Sequence, residues 1–129
     1  MTVNVVQQTT TDYFANSYLK VTFSQDYWQT GTYMFTAGQA TVANGPVNAT
    51  HFNDPEYNSL YAQALAELDE GKRTELIHRM AHIDYDRGGN IIPYFFPVID
   101  AATAKVGGIT ENATGYSPSG NDFADFWLS

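Results

Sequence analysis

The chain has 129 residues, the size of one ordinary domain, and with 43% hydrophobic residues it can bury a core. Its formal net charge is −8, from six basic and fourteen acidic residues. This charge argues against nucleic acid or an anionic membrane as partner, since phosphate binding needs clustered Lys and Arg. The absence of Cys excludes disulfides, thiolate metal sites and a Cys nucleophile.

The first thirty residues show a pattern of strand, helix and strand. Val3–Val6 is apolar and mostly β-branched, which predicts a strand. The apolar spacing after the cap-forming residues at positions 9–12 predicts a short amphipathic helix from Asp12 to Lys20. Phe23–Trp28 is the second predicted strand. This βαβ-like opening favours an α/β fold.

The stretch from Gln29 to His51 predicts an irregular connection, because Gly, Thr and Asn are frequent in it and Asn44-Gly45-Pro46 is a strong turn signal. A long irregular stretch in a compact domain is often functional, and an ordinary surface connection is the alternative. Asn48-Ala49-Thr50 and Asn112-Ala113-Thr114 match the N-glycosylation pattern, which often arises by chance.

Two helices with almost no loop between them are predicted next. Asp54 is an N-cap followed by Pro55 at the first helical position, and Asp69 can cap the second helix. Arg87 followed by Gly88 ends that helix, with Gly available for a left-handed cap. Apolar stripes at helical spacing mark the expected buried faces. They are Tyr57, Leu60, Tyr61, Ala64, Leu65 and Leu68, then Leu76, Ile77, Met80 and Ile83.

Residues 91–129 combine apolar runs with loop signals. Ile91–Ile99 is a continuous apolar run with two Pro, which predicts a strand buried on both faces with Pro at an end or an edge. Ala101–Lys105 predicts another short strand. Gly107-Gly108, Gly115 and the segment 117–120 mark loops, and an aromatic cluster from Asp122 to Leu128 closes the chain.

His78 and His82 lie four residues apart and therefore share one helix face, a geometry that can hold Zn²⁺. A small metal-dependent hydrolase is thus one hypothesis. However, Arg79 stands where His-Glu-x-x-His enzymes carry their general base, and it would oppose a bound cation. No carboxylate pair sits in an apolar context that would suggest acid–base work. We therefore predict two solvated histidines, with no catalytic residue, metal or cofactor.

The candidate ligand-binding residues lie at the end of the second predicted strand: Tyr27, Trp28, Gln29, Thr30, Gly31 and Tyr33. Ligand sites of α/β proteins often form at such strand ends. The aromatic faces would supply contact area, and Gln and Thr would supply directional hydrogen bonds. A core position explains Tyr27 and Trp28 equally well. A stand-alone carbohydrate-binding domain is a second functional hypothesis.

Three motifs occur in a characteristic order: Asn53-Asp54-Pro55-Glu56-Tyr57, the helix junction Asp69–Arg73 and Ile91-Ile92-Pro93-Tyr94-Phe95. With the closing segment Asp122–Leu128 they resemble the C-terminal part of bacterial extracellular solute-binding proteins of family 5, the oligopeptide-, dipeptide- and nickel-binding type that serves ABC importers. Trp28 falls where that family places a ligand-lining Trp.

The resemblance implies part of a periplasmic-binding-protein-like (type II) lobe, in which the αα-hairpin packs on a mixed sheet. Residues 1–98 would belong to the second lobe, and residues 99–129 would return toward the first. The implied parent is a longer, non-enzymatic, extracytoplasmic protein, periplasmic or a cell-surface lipoprotein, that delivers a solute to ABC transporter membrane subunits. The first six residues lack the features of a signal peptide, so we expect none in this chain.

The expected ligand is a peptide-like or other small solute. Peptide-binding members of the family often carry an Asp shortly after the Trp, whereas Trp28 is followed by Gln29-Thr30-Gly31-Thr32. A sugar, another neutral solute or an unusual peptide therefore remain alternatives. Half a cleft would leave apolar surface exposed, and from this we expect the chain to self-associate.

Overall fold

The computed structural model describes residues 2–29, 31–97, 99–110 and 123–129. Its helices are α1 (Thr10–Asp12), a π-helical turn (Tyr13–Ser17), α2 (Tyr33–Ala40), α3 (Pro55–Ala66) and α4 (Glu70–Arg87). Its strands are β1 (Val106–Gly107) and β2 (Trp127–Leu128). The described part is thus helix-rich with one small sheet, a loosely α/β arrangement. None of its helices is long and apolar enough to cross a membrane.

The chain divides into two compact units. Unit 1 comprises Met1–Asp26 and Tyr33–Asn90, and unit 2 comprises Tyr27–Thr32 and Ile91–Ser129. All helices of the described residues therefore belong to unit 1, and both described strands belong to unit 2. The division expected at residues 98 and 99 concerns the lobes of a longer protein and stays a prediction.

The predicted αα-hairpin is confirmed, because α3 and α4 are joined by only three residues. The Asp54 carboxylate accepts a hydrogen bond from the Tyr57 N–H at 2.9 Å, and the Asp69 carboxylate accepts one from the Lys72 N–H at 2.9 Å. Each cap satisfies a donor at the helix start that has no partner within the helix. Local sequence therefore defines where both helices begin.

The predicted left-handed cap at the end of α4 is wrong. Gly88 has φ −65° and ψ 160°, an extended conformation, and its N–H donates to the Asp84 carbonyl. Glycine is required there for a different reason, since a Cβ atom would overlap the backbone of Asp84.

The core of unit 1 lies where α2, the following segment and the hairpin meet. Its buried members are Ala37, Val42, Tyr57, Leu60, Ala64, Met80 and Ile83. The predicted stripe of α3 is wrong at Leu65 and Leu68, which are exposed. Leu65 points away from the row of Leu60 and Ala64, and Leu68 lies beyond the end of the helix.

The mixed sheet implied by the family resemblance is not present in the described residues. The hairpin packs instead on α2, whose Ala37 joins the core together with Val42. Among the described residues, the sheet of unit 2 has two antiparallel strands, with Val106 opposite Leu128 and Gly107 opposite Trp127. Gly107 is required because a Cβ atom would overlap the Trp127 indole ring.

Three predicted strands are wrong in their described residues: Val3–Val6, Phe23–Trp28 and the run from Ile91 to Ile99, in which residue 98 is not described. The predicted strand Ala101–Lys105 is also displaced, to Val106–Gly107. Apolar composition indicates strand propensity, but a strand forms only when its backbone groups find a partner. The closing aromatic segment is described from Phe123 onward and contributes β2; Gly115 and the loop at 117–120 lie outside the described residues.

Helix α2 lies in the stretch expected to be irregular. Gly38, a residue type of low helix propensity, sits where a Cβ atom would overlap the Tyr61 hydroxyl of α3, so the glycine permits close packing of the two helices. The helix expected from Asp12 to Lys20 begins earlier, at Thr10, and ends at Ser17. It ends there because Tyr18 leaves the helical path with ψ 135° and Leu19 has φ 61°.

Candidate functional site

The predicted ligand-binding residues at positions 27–31 have neither helix nor strand structure. Tyr27 is 70% exposed and Trp28 is 45% exposed, and Gln29 and Gly31 are exposed as well. Thr30 lies outside the described residues. In the described structure, Tyr27 and Trp28 are therefore not core side chains, and both present aromatic surface to solvent.

Tyr33, the last predicted ligand residue, belongs to unit 1, whereas positions 27–32 belong to unit 2. It is the first residue of α2 and is partly buried. Its hydroxyl donates to the Asp84 Oδ2 atom of α4 at 2.8 Å. The polar group of Tyr33 is thus engaged within unit 1.

A second hydroxyl meets the same carboxylate oxygen. The Tyr57 hydroxyl of α3 lies 3.2 Å from Asp84 Oδ2 and 3.2 Å from the Tyr33 hydroxyl. The three side chains form a triangle, the Tyr33–Tyr57–Asp84 cluster, with one member on each of α2, α3 and α4. Hydrogen bonds to a charged acceptor are stronger than those between neutral groups.

Burial and charge set the acidities in this cluster. Burial raises the pKa of Tyr57 to about 12, and the nearby Asp84 carboxylate adds to the rise. Burial also raises the pKa of Tyr33 far above its usual range, reinforced by its hydrogen bonds to Tyr57 and Asp84. The pKa of Asp84 is raised by burial, while the two tyrosine hydrogen bonds oppose that rise.

The Tyr33–Tyr57–Asp84 cluster connects helices. Tyr57 is 0% exposed, so its hydroxyl meets no solvent. No sequence motif predicted the cluster, because its members lie 24 and 27 residues apart along the chain. The hint in the sequence is Asp84 itself, a charge directly beside the buried Ile83.

Asn48 organises the connection between α2 and α3. Its amide nitrogen donates to the carbonyls of Val42 and Phe52 at 3.1 and 2.9 Å. Its amide oxygen accepts from the Thr50 hydroxyl at 3.0 Å and from the Phe52 N–H at 3.2 Å. A side chain so engaged and buried is not available for glycosylation in the folded chain. The second match, at Asn112, lies outside the described residues.

Ion pairs join the two ends of the hairpin. Arg87 at the end of α4 contacts Asp54 at 2.7 Å and Glu56 at 3.0 Å, and Arg79 lies 3.4 Å from Glu56. The hydrogen bond from Arg87 lowers the pKa of Asp54. The side chains of Arg87 and Glu56 are about half exposed, whereas the Asp54 carboxylate is only 13% exposed. Salt therefore screens the contact with Glu56 more than the contact with Asp54.

His78 and His82 are exposed on the face of α4 that points away from Met80 and Ile83. They border a shallow depression of about 390 Å³, lined by His78, Ala81, His82, Tyr85 and Asp86. No group of three or more potential metal ligands occurs in the described part of the chain. Two imidazoles fall short of the three or four protein ligands of zinc sites.

Comparisons with known proteins found no matching family model, no matching curated protein and no matching solved structure. The resemblance to family 5 solute-binding proteins therefore stays a prediction that depends on the motif residues alone. The contacts in the described residues show that Asp54 and Asp69, which belong to those motifs, are helix caps.

Proposed function

We propose that this chain is the C-terminal portion of an extracytoplasmic solute-binding protein of an ABC importer. It would form part of a type II periplasmic-binding-protein-like lobe and capture a small solute without chemically altering it. The residues proposed to contact the solute are Tyr27, Trp28, Gln29, Thr30 and Gly31. Tyr33, the sixth residue predicted from the sequence, belongs to unit 1, where its hydroxyl donates to Asp84.

The observation that carries this proposal is the exposure of Tyr27 and Trp28, at 70% and 45%. Large aromatic side chains left at the surface are typical of recognition sites, because their faces bury much area with little loss of conformational entropy. Gln29 is adjacent and exposed, and its amide can donate and accept hydrogen bonds.

The charge distribution favours a neutral solute. The chain carries a net charge of −8, yet Asp26, directly before Tyr27, is the only Asp, Glu, Lys or Arg in the sequence from Val21 to Asn53. A charged ligand would need an opposite charge or a dense set of hydrogen bonds once it is removed from water. We therefore propose a sugar or another uncharged polar molecule before a free peptide with charged ends.

A binding comparison with matched tryptophan variants tests the proposal. Isothermal titration of the full-length natural protein with neutral saccharides and peptides should identify one binding solute class. Trp28→Ala should weaken that binding by at least about tenfold, the equivalent of one well-packed aromatic contact. Trp127→Ala is the control, because Trp127 is also exposed but lies in β2. It should change affinity by less than about threefold, under 1 kcal/mol.

Two results would contradict the proposal. Equal affinity of the Trp28→Ala protein and the unmodified protein would remove the 27–31 segment from the site. If the 129-residue chain alone bound a saccharide as tightly as the full-length protein did, the stand-alone carbohydrate-binding hypothesis would replace it.

A further inference from the structure

The segment that follows α4 exposes an unusual amount of apolar surface. Residues 91–97 read Ile-Ile-Pro-Tyr-Phe-Phe-Pro, and every one of them is exposed. Tyr94, Phe95 and Phe96 are 52%, 83% and 75% exposed. Single exposed apolar residues are ordinary, but a continuous run of this kind marks an interaction surface.

The backbone of this segment also lacks hydrogen-bond partners among the described residues. The N–H and C=O groups of residues 91–97 form no hydrogen bond with any residue that the structure describes. Side-chain composition favours a β-strand, since Ile, Tyr and Phe are strand formers. The segment therefore has the sequence of a strand and lacks the partner strand.

The positions of the two prolines allow pairing along one edge only. In an extended chain, the N–H and C=O groups of successive residues point to opposite edges. Pro93 and Pro97 are four residues apart, so both missing N–H groups fall on the same edge. The other edge carries both the N–H and the C=O groups of Ile92, Tyr94 and Phe96.

The side chains of Ile92, Tyr94 and Phe96 lie on a common face of the extended segment. The rings of Tyr94 and Phe96 are 4.8 Å apart at an interplanar angle of 89°, an edge-to-face contact. Side chains two apart in an extended chain share a face, so Ile92 would continue this apolar row. The pairing edge and an apolar face are thus provided by the same three residues.

We propose that two copies of this chain form a closed dimer by antiparallel pairing of the segment Ile92–Phe96. Tyr94 lies opposite Tyr94 of the second copy at the two-fold axis, and Ile92 lies opposite Phe96. Each pair exchanges two backbone hydrogen bonds, and aromatic residues face aromatic or β-branched ones. The proline-bearing edges face outward and prevent a third strand from adding, so the assembly closes at two.

The register of the segment favours a second copy as the occupant. Tyr94 lies at the centre of the pairing edge, with Ile92 and Phe96 at equal distances on either side, so this edge is complementary to a second copy of itself. Pairing along one edge buries only part of the exposed surface of these side chains, less than the about 800 Å² per partner of a standard interface, so a concentration-dependent dimer is expected. The chain carries a net charge of −8, yet residues 91–99 contain no charged side chain, so the paired segments do not repel each other directly.

A matched pair of proline substitutions tests the geometry. Ile92→Pro removes an N–H on the proposed pairing edge, whereas Ile91→Pro makes the same chemical change on the outward edge. Both isoleucines are exposed and hydrogen-bond to no described residue, so neither change disturbs the folded units. The assay is analytical ultracentrifugation of the 129-residue chain over a wide concentration range.

The unmodified chain should sediment as a species of twice the 14.3 kDa monomer mass. Ile92→Pro should weaken dimerisation at least about tenfold, because each dimer loses two backbone hydrogen bonds. Ile91→Pro should leave the dimerisation constant within about threefold, a difference under 1 kcal/mol.

A monomer at every concentration would overturn the proposal. Equal effects of the two substitutions would show that the edge assignment is wrong, and larger open-ended assemblies would refute closure by proline. None of these outcomes depends on solute binding, so the dimer and the proposed function can fail separately.

Discussion

Removing the Tyr57 hydroxyl tests whether the Tyr33–Tyr57–Asp84 cluster stabilises unit 1. In Tyr57→Phe the ring stays in its fully buried position while the hydroxyl 3.2 Å from Asp84 Oδ2 is lost. A hydrogen bond to a charged group contributes about 1.5–3 kcal/mol to stability. We expect the free energy of unfolding to fall by that amount. Tyr33→Phe should have a comparable effect, because its hydroxyl donates at 2.8 Å.

The double variant gives the sharper result. After either single change, Asp84 keeps one tyrosine donor. After both changes, a half-buried carboxylate has lost both tyrosine donors of the cluster. The cost of the double variant should therefore exceed the sum of the single costs by about 0.5–3 kcal/mol, the range found for residues that share one network.

Urea unfolding followed by far-ultraviolet circular dichroism measures these differences, since all described helices lie in unit 1. The control is Tyr61→Phe in the same helix, α3. The Tyr61 hydroxyl, which this change removes, makes no hydrogen bond with any described residue. It should change stability by less than about 0.5 kcal/mol. A Tyr57→Phe effect no larger than this control, or additive behaviour of the double variant, would refute the reasoning.

Three further predictions concern pH, capping and the connection between α2 and α3. Burial raises the pKa of Asp84 above its ordinary 3.8, so the folded state binds more protons than the unfolded state. The stability of the unmodified protein relative to Asp84→Asn should therefore decrease as pH rises from below 3.8 through the raised pKa. Urea midpoints of both proteins, measured across this range, check the sign. Asp69→Ala should destabilise the fold by about 1 kcal/mol in thermal unfolding, and Asp69→Ser should restore most of it, because serine also caps. Asn48→Ala should cost at least about 2 kcal/mol in urea unfolding, since four hydrogen bonds are lost, whereas the exposed Asn44→Ala should be nearly neutral.

Contradicting outcomes for these three are equally specific. An advantage that grows with pH would show that the tyrosines stabilise the Asp84 carboxylate more than burial destabilises it. Equal stabilities of the alanine and serine variants at position 69 would exclude capping as the cause. Equal effects at Asn48 and Asn44 would show that the Asn48 hydrogen bonds do not stabilise the connection.

The helical hairpin could be predicted from sequence because its signals are local. Asp54, Pro55 and Asp69 act within one turn of their own position, and the apolar spacing of α3 and α4 follows from helix geometry alone. Leu65 is exposed, however, so the apolar spacing of α3 predicts the central positions of the buried face and not those at its margin.

Strands and the tyrosine–aspartate contacts could not be predicted in the same way. A strand depends on a distant partner, and Ile91–Pro97 has strand composition without such a partner among the described residues. The sequence does not predict helix α2, because Gly38 lowers helix propensity. Gly38 permits a close contact with Tyr61 that is visible only in the folded chain. Tyr33 follows Trp28 closely in the sequence, which suggests a shared site, but its hydroxyl contacts Asp84, 51 residues further along the chain.

The central claim is that residues near Trp28 hold a neutral solute. Native mass spectrometry of the proposed longer parent protein, purified without denaturation, tests it most directly. We predict one small uncharged molecule bound at a ratio of one to one, retained in Trp127→Ala and lost in Trp28→Ala. Protein that carries no small molecule under these conditions, or the same molecule bound equally by both variants, would contradict the claim.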